Sequence, residues 1–257
     1  GAAMGLYIGG NAAGGMAGRV VTGVVAEHAD WRVALAVIGG LGLAAALGFA
    51  ALLPPSRNFT ARPSRGLAPH LAAWGRHLAR PEMRALFAVA FLAMGGFVTA
   101  YNYVGFHLAE PPWSLGPAAV GAIFMVYLAG IVASPVAGGL ADRFGRARVL
   151  IGGVALSGLG LALTLSSSLT VLIVGIALLT AGFFAAHTVA GGWVGRSAAG
   201  DKAHASSLYL LAYYLGSSIA GSSGGFAWTH AGWPGVVGFV AVLLVGQGVL
   251  AVRVGRA

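Results

Sequence analysis

The stretch WRVALAVIGGLGLAAALGFAALL, residues 31–53, decides the fold: from Val33 to Leu53 no side chain is polar. The hydrocarbon core of a bilayer is about 30 Å thick and a helix rises about 1.5 Å per residue, so roughly 17 to 25 apolar residues cross it. A strand of a membrane barrel would alternate polar and apolar positions, and this run does not, which leaves a helix. The same test is met by residues 5–26, 83–106, 117–140, 149–165, 169–194, 206–228 and 233–252, so the chain is expected to be an all-α integral membrane protein with eight spans.

The composition agrees. Of 257 residues, 58% are hydrophobic and 8% charged, whereas a soluble domain carries about 25% charged residues. The 43 glycines have no three-residue period, which excludes collagen, and small residues let membrane helices approach closely. With no cysteine in the chain, disulfides, thiolate chemistry and cysteine-held metals are excluded.

The formal charge of +9 raises nucleic acid as a partner, and the placement of the charges answers it. At the span ends or beyond them, Arg57, Arg62, Arg65, Arg76, Arg80, Arg84, Arg143, Arg146, Arg148, Arg196, Lys202, Arg253 and Arg256 fall on one face, and only Arg32 falls on the other, beside Glu27, Asp30 and Glu110. Basic residues collect on the cytoplasmic side of a membrane. The charge is therefore a topology signal for eight spans with both ends cytoplasmic, and no nucleic-acid partner is expected. Arg19 alone sits inside a span.

Residues 54–82 are Arg-rich and hold Pro54, Pro55, Pro63, Pro69 and Pro81, as a cytoplasmic linker between two helical bundles would. Within it, residues 70–79 place Leu71, Trp74 and Leu78 on one side of a short amphipathic helix, suited to a membrane surface; a solvated linker is the alternative.

Displacing the chain by 202 residues brings out an internal repeat. Leu6 and Tyr7 fall on Leu208 and Tyr209, Gly14 on Gly216, Gly23 on Gly225, His28 and Ala29 on His230 and Ala231, and Trp31 on Trp233. The first two spans thus look like copies of the last two, which close a six-span block beginning at Met83. Transporters are commonly built from such repeats. On that pattern, residues 1–53 are the last two helices of an N-terminal half, 83–257 is a complete C-terminal half, and four earlier spans of a twelve-span protein are missing.

Polar residues follow the same threefold rhythm. The second span holds only Arg32 at its edge, the fifth only Ser157 and Thr164, the eighth only Gln247, while the others are rich in hydroxyl, amide and ring groups. Intramembrane polar groups face a bundle interior or a water-filled path. The second, fifth and eighth spans are therefore expected at the periphery, and the rest around a path, which argues against a purely structural membrane protein. Asn11, Arg19, Tyr101, Asn102, Tyr127, His187 and Tyr213 are the candidate cavity residues: rings for hydrophobic cargo, polar groups for orientation, and an imidazole able to carry a proton. Trp31, Trp113 and Trp233, near span ends, read as interfacial anchors. Gly10, Gly14 and Gly18, and Gly216 with Ala220 and Gly224, read as helix-packing stripes. No paired-carboxylate site, His–Glu metal cluster or phosphate-cradling loop is present, so neither an enzyme nor a bound cofactor or metal is expected.

One loop carries a family resemblance. Gly138-Gly139-Leu140-Ala141-Asp142-Arg143-Phe144-Gly145-Arg146-Ala147-Arg148 resembles the signature joining the second and third helices of a half in the major facilitator superfamily. The Gly-rich residues 9–23 followed by Asp30-Trp31-Arg32 resemble the antiporter-type fifth helix, and residues 97–106, 182–195 and 205–225 resemble a bacterial drug-efflux subgroup. The proline usual in the antiporter motif is absent from 11–23, where Met16 and Arg19 stand.

The resemblance implies a major facilitator-type bundle, eight of an expected twelve helices, in a bacterial inner membrane, monomeric, without cofactors. It would export small amphipathic molecules by alternating access with protons as coupling ion; a sugar or metabolite uniporter or symporter is the alternative. It further implies that Gly138, Asp142, Arg143, Gly145, Arg146 and Arg148 form a gating loop. In that scheme Asp142 latches onto the start of the first span near Gly5, while Arg143 and Arg146 add charge pairs.

Overall fold

The computed structural model describes residues 2–54, 66–198 and 201–256, and of residues 2–9, 11 and 12 it describes the backbone only. The Asn11 side chain and Arg57, Arg62 and Arg65 lie outside this description, and the Gly5 end of the expected latch is described in its backbone alone.

The described residues form helices α1 (Ala2–His28), α2 (Trp31–Leu52), α3 (Ala68–Ala79), α4 (Pro81–Ala109), α5 (Pro117–Ala122), α6 (Tyr127–Phe144), α7 (Arg146–Leu163), α8 (Leu169–Ser197) and α9 (Lys202–Arg256), with a single 3-10 turn at Ile123–Val126 joining α5 to α6. No strand occurs among them. Six helices are long and apolar enough to cross a bilayer, counting Pro117–Phe144 as one. The last of these, α9, runs 55 residues and is broken at Ala231 and Gly232 (φ 57°) into two arms. A straight helix of that length would extend roughly 80 Å, so each arm is one crossing. With the 27-residue α1, every span read from the sequence coincides with a helix or a helix arm.

Local chemistry sets the boundaries. Asp30 caps α2, its carboxylate accepting from the amides of Arg32 at 2.7 Å and Val33 at 2.9 Å. Pro81 and Pro117 open α4 and α5 where a missing N–H costs nothing. Gly145, at φ 90°, turns α6 into α7. The 202-residue repeat extends to the backbone: it carries the turn at Ala29 and Asp30 onto the break at Ala231 and Gly232.

The chain divides into two compact units. In the first, α1 and α2 form a hairpin and α5 packs on α1 through facing glycines. A Cβ on Gly23 would sit 2.6 Å from the Pro117 carbonyl oxygen, and one on Gly121 3.0 Å from that of Arg19. Glu27, in the last turn of α1, accepts from the Ala118 amide at 3.0 Å and so caps α5. Gly10, Gly14 and Gly18 meet nothing within 4 Å, so that stripe packs against no described neighbour. Most of α2 is exposed, with Leu35, Leu43, Leu47 and Phe49 all bare, as a helix facing lipid would be.

The second unit holds α3, α4 and α6 to α9. Helix α4 is its core, with Met83, Leu86, Ala90 and Leu108 fully buried. Here the small-residue stripe packs as expected. Gly216 lies against the Phe91 carbonyl and Gly224 against Thr99, with no room for a Cβ at either, and the Thr99 hydroxyl donates to the carbonyls of Gly95 (2.7 Å) and Ala220 (3.0 Å). Helices α7 and α8 close in the same way, Gly160 on Gly175 and Gly153 on Gly182. Beyond the arginines at one end of each, the few polar groups along α7 and the second arm of α9, Ser157, Thr164 just past α7, and Gln247, are all buried, leaving the outer faces there apolar.

Trp233 departs from its expected role. Only 3% exposed, it donates to the Thr164 carbonyl at 3.0 Å and stacks on His107. Position near a span end suggested an interfacial anchor, but the break at Gly232 turns the ring inward. Trp31, by contrast, is 60% exposed.

Candidate functional site

Three helices of the second unit and the first arm of α9 bring their aromatic side chains together. Phe97 and Tyr101, one turn apart on α4, meet Tyr127 from α6 at centroid distances of 5.8 and 5.1 Å. Phe97 stacks on Phe183 of α8 at 3.9 Å, with ring planes 13° apart. Phe183 continues to His187 at 5.8 Å, and His187 to Tyr213 of α9 at 4.8 Å. Phe184 crosses edge-on against Phe97, Tyr127 and Phe183. The result is a continuous wall from Tyr127 to Tyr213.

Polar atoms are fixed into this wall. The Tyr101 and Thr180 hydroxyls are 2.6 Å apart, and Thr180 also donates to the Ile176 carbonyl. The Tyr209 hydroxyl lies 3.0 Å from His187 Nδ1 and 3.2 Å from the His187 carbonyl oxygen. Tyr127, His187 and Tyr213 are half-buried, so part of each ring is accessible.

Of the candidate cavity residues, Tyr101, Tyr127, His187 and Tyr213 thus come together. Asn102 does not join them. One residue on a helix is a turn of about 100°, so with Tyr101 directed at Thr180 the Asn102 side chain points toward Gly221. Arg19 belongs to the first unit, where its guanidinium lies 4.8 Å over the Phe124 ring. The residues absent from the sequence expectation are Phe97, Phe183, Phe184 and Tyr209. A signal was available: Phe97 and Tyr101, Phe183 and His187, and Tyr209 and Tyr213 are each four apart, on one helix face.

The signature loop lies where α6 meets α7. Asp142 pairs with Arg196 of α8, Oδ1 to Nη1 at 3.4 Å. Among the described residues Arg143 and Arg146 pair with no carboxylate. Arg143 lies 5.1 Å over Phe144, and Arg146 lies 6.0 Å over Trp193. These two follow Asp142 along the turn, whereas Arg196 stands on the helix packed beside α6. Next to this pair, Glu82 in the first turn of α4 accepts from Trp193 Nε1 and from the Ser197 hydroxyl, each at 2.9 Å, and pairs with Arg80 at 3.3 Å. The carboxylates within the described helices stay in end turns: Glu27 at the end of α1, Glu82 at the start of α4 and Asp142 at the end of α6.

Helix α3 docks on the start of α9. Asp201 pairs with Arg76 at 3.1 Å and accepts from His204 Nδ1 at 2.6 Å, and His70 is hydrogen-bonded to His204 at 2.9 Å. Trp74 Nε1 donates to the Ser207 hydroxyl at 3.1 Å. The His204 hydrogen bond, with the nearby charges, holds the Asp201 carboxyl below its ordinary range. The helix expected at residues 70–79 is present as α3, and its Leu71 and Leu78 are exposed. Among the described residues no group of three or more acidic or histidine side chains forms a metal site.

Long apolar helices stacked through glycines, with a polar-studded aromatic wall inside and a charged turn at one end, define a polytopic membrane protein of the transporter class. Comparison with known proteins makes this specific. The Major Facilitator Superfamily model matches residues 1–130 and 112–256, and the chain belongs to that family. Its relatives include the Inner membrane transport protein YnfM of Escherichia coli, 45% identical over 244 residues, covering 94% of this chain and 58% of the relative. The Uncharacterized MFS-type transporter YybF of Bacillus subtilis is 42% identical over 245 residues, covering 95% and 60%. A Buchnera aphidicola protein named only as a transporter is 38% identical over 242 residues, covering 94% and 58%. The chain therefore spans about three fifths of the length of these relatives. The family is one of transporters, which act on small molecules in a membrane, and not of enzymes.

Proposed function

We propose that this chain is the larger part of a twelve-span secondary transporter of a bacterial inner membrane, with residues 83–257 as its C-terminal half, 1–53 as the last hairpin of its N-terminal half and 54–82 as the cytoplasmic linker. The complete protein, acting as a monomer, exports small amphipathic compounds by alternating access in exchange for protons, and both ends of this chain face the cytoplasm.

The observation that carries this reading is the aromatic wall from Tyr127 to Tyr213, whose ring faces and hydroxyls match amphipathic cargo and no single rigid polar ligand. The charged turn supports a gating role. Asp142 sits at the C-terminus of α6, where the helix dipole disfavours an anion, so its neutralisation depends on outside partners such as Arg196 and is sensitive to rearrangement of the loop. A contact of this kind is a bistable latch.

The experiment is substrate flux by the complete protein in sealed vesicles, with and without an imposed pH gradient. Uptake into inverted vesicles driven by an acidic interior supports export by proton exchange. Flux indifferent to the gradient removes the proton claim and leaves transport standing. The alternative, sugar or metabolite uniport or symport, is favoured by the confinement of the described helix carboxylates to end turns and by the missing proline in 11–23; gradient-independent flux would select uniport, and flux driven by the opposite gradient would select proton symport.

A further inference from the structure

Beside the Asp142 to Arg196 pair, an open groove of about 520 Å³ is lined by Ala141, Phe144 and Gly145 at the end of α6, Arg146 and Arg148 at the start of α7, Trp193 of α8 and Gly255 at the end of α9. Asp142 also lines it, with its carboxylate already engaged by Arg196. Arg146 and Arg148 have no carboxylate partner among the described residues. Arg146 lies over Trp193, and Arg148 makes one long contact, Nη1 donating to the Phe144 carbonyl at 3.5 Å. Arg253 and Arg256 stand in the last turn of α9 on either side of Gly255. The groove therefore offers two uncompensated guanidinium groups inside a wider basic rim.

Its surroundings select the ligand. Phe144 is 47% exposed at the rim, and Leu140, one turn back along α6, is 41% exposed. From the same end, α7 and the second arm of α9 run away with bare Ile151, Leu159, Val249 and Val245, while Ser157 and Gln247 are turned inward. Gly255 lets the two helices meet, since a Cβ there would lie 2.5 Å from that of Ala147. A phosphodiester held between Arg146 and Arg148 would thus have an apolar strip directly below it. That is the geometry of an amphiphile with an anionic head, and basic pockets at the ends of membrane helices bind such headgroups.

We propose that this groove binds the phosphodiester headgroup of an anionic phospholipid, with Arg146 and Arg148 on the phosphate and the acyl chains along α7 and α9. The site goes beyond the transport reading and does not depend on it. The test is native mass spectrometry of the purified full chain with phosphatidylglycerol, phosphatidylcholine and inorganic phosphate as separate probes. Wild-type protein is expected to retain phosphatidylglycerol about thirty-fold better than Arg146→Gln/Arg148→Gln, from the loss of two contacts of the strength a basic residue has near an anionic surface. Arg146→Lys/Arg148→Lys and the charge-matched Arg76→Gln/Arg84→Gln are expected to stay near wild type. Equal retention by the two glutamine pairs overturns the proposal. So does displacement of the lipid by millimolar inorganic phosphate, which would assign the groove to a soluble anion, and so does equal binding of phosphatidylcholine.

Discussion

Tyr209 is tied to His187 at two points, its hydroxyl lying 3.2 Å from the His187 carbonyl oxygen and 3.0 Å from Nδ1. A hydroxyl has one proton. If it goes to the carbonyl, Nδ1 is the protonated nitrogen of the ring and Nε2 is left as an acceptor. The pair therefore fixes the orientation of the one imidazole in the wall. Tyr209→Phe keeps the ring and removes both contacts; it is expected to lower stability by about 1 kcal/mol in thermal unfolding and to change the relative rates for different cargoes. Unchanged selectivity would make His187 a packing residue only.

The Asp142 to Arg196 pair is exposed, 70% and 51%, so as a stabilising contact it is worth little. Its expected importance lies in gating. Asp142→Ala in the complete protein should lower transport while membrane insertion stays intact, Arg196→Gln should do the same, and the double variant should be no worse than either alone, as for residues acting as a unit. Initial flux normalised to inserted protein is the measurement. Wild-type flux in Asp142→Ala contradicts the latch.

The glycine stripes divide cleanly. Gly216→Ala drives a Cβ into the Phe91 backbone and is expected to cost about 1–3 kcal/mol by overpacking. Gly14→Ala meets open space and should be neutral or slightly stabilising, since alanine is the better helix former by about 1 kcal/mol. Thermal unfolding of both variants in the same detergent checks the contrast.

The contact between α3 and α9 should respond to acid. Asp201 has its carboxyl held below the ordinary 3.8. A lowered folded value means that its contribution is fully present above the unfolded value and is lost as pH falls through the lower folded one. Hydrogen exchange of the α3 amides is therefore expected to show no change in protection from this carboxyl as pH drops from 6 to 4, and a loss below that. Asp201→Asn should expose α3 already at neutral pH. Protection of α3 that is equal in wild type and Asp201→Asn counts against the contact as its anchor.

Much of the fold was legible because lipid imposes strong rules. Uninterrupted apolar runs such as residues 33–53 could only be helices, and the repeat foretold the break at Ala231 and Gly232. Members of the aromatic wall were legible where a polar atom stood out against an apolar span, as at Tyr101, Tyr127, His187 and Tyr213. Phe97, Phe183 and Phe184 carry no such contrast and vanished into the hydropathy. Arg196 was absorbed by the count of basic residues that set the orientation, which hid its pairing with Asp142. Asn102 was grouped with Tyr101 for its polar side chain in an apolar span, although neighbours on a helix point about 100° apart. Trp233 misled because a span-end tryptophan fits both a lipid interface and a buried hydrogen bond, and only the backbone at Gly232 decides.

The central claim is that the wall ending at Tyr213 lines a path opened alternately to the two sides of the membrane. This chain has no cysteine, so Tyr213→Cys introduces its single reactive thiol. The most direct measurement is labelling of that thiol, in the complete protein with any other cysteines removed, by a membrane-impermeant reagent in right-side-out and in inverted vesicles. The account predicts labelling from both sides, slowed in both by a transported amphipathic compound. Labelling from one side only, or labelling that no cargo slows, contradicts it.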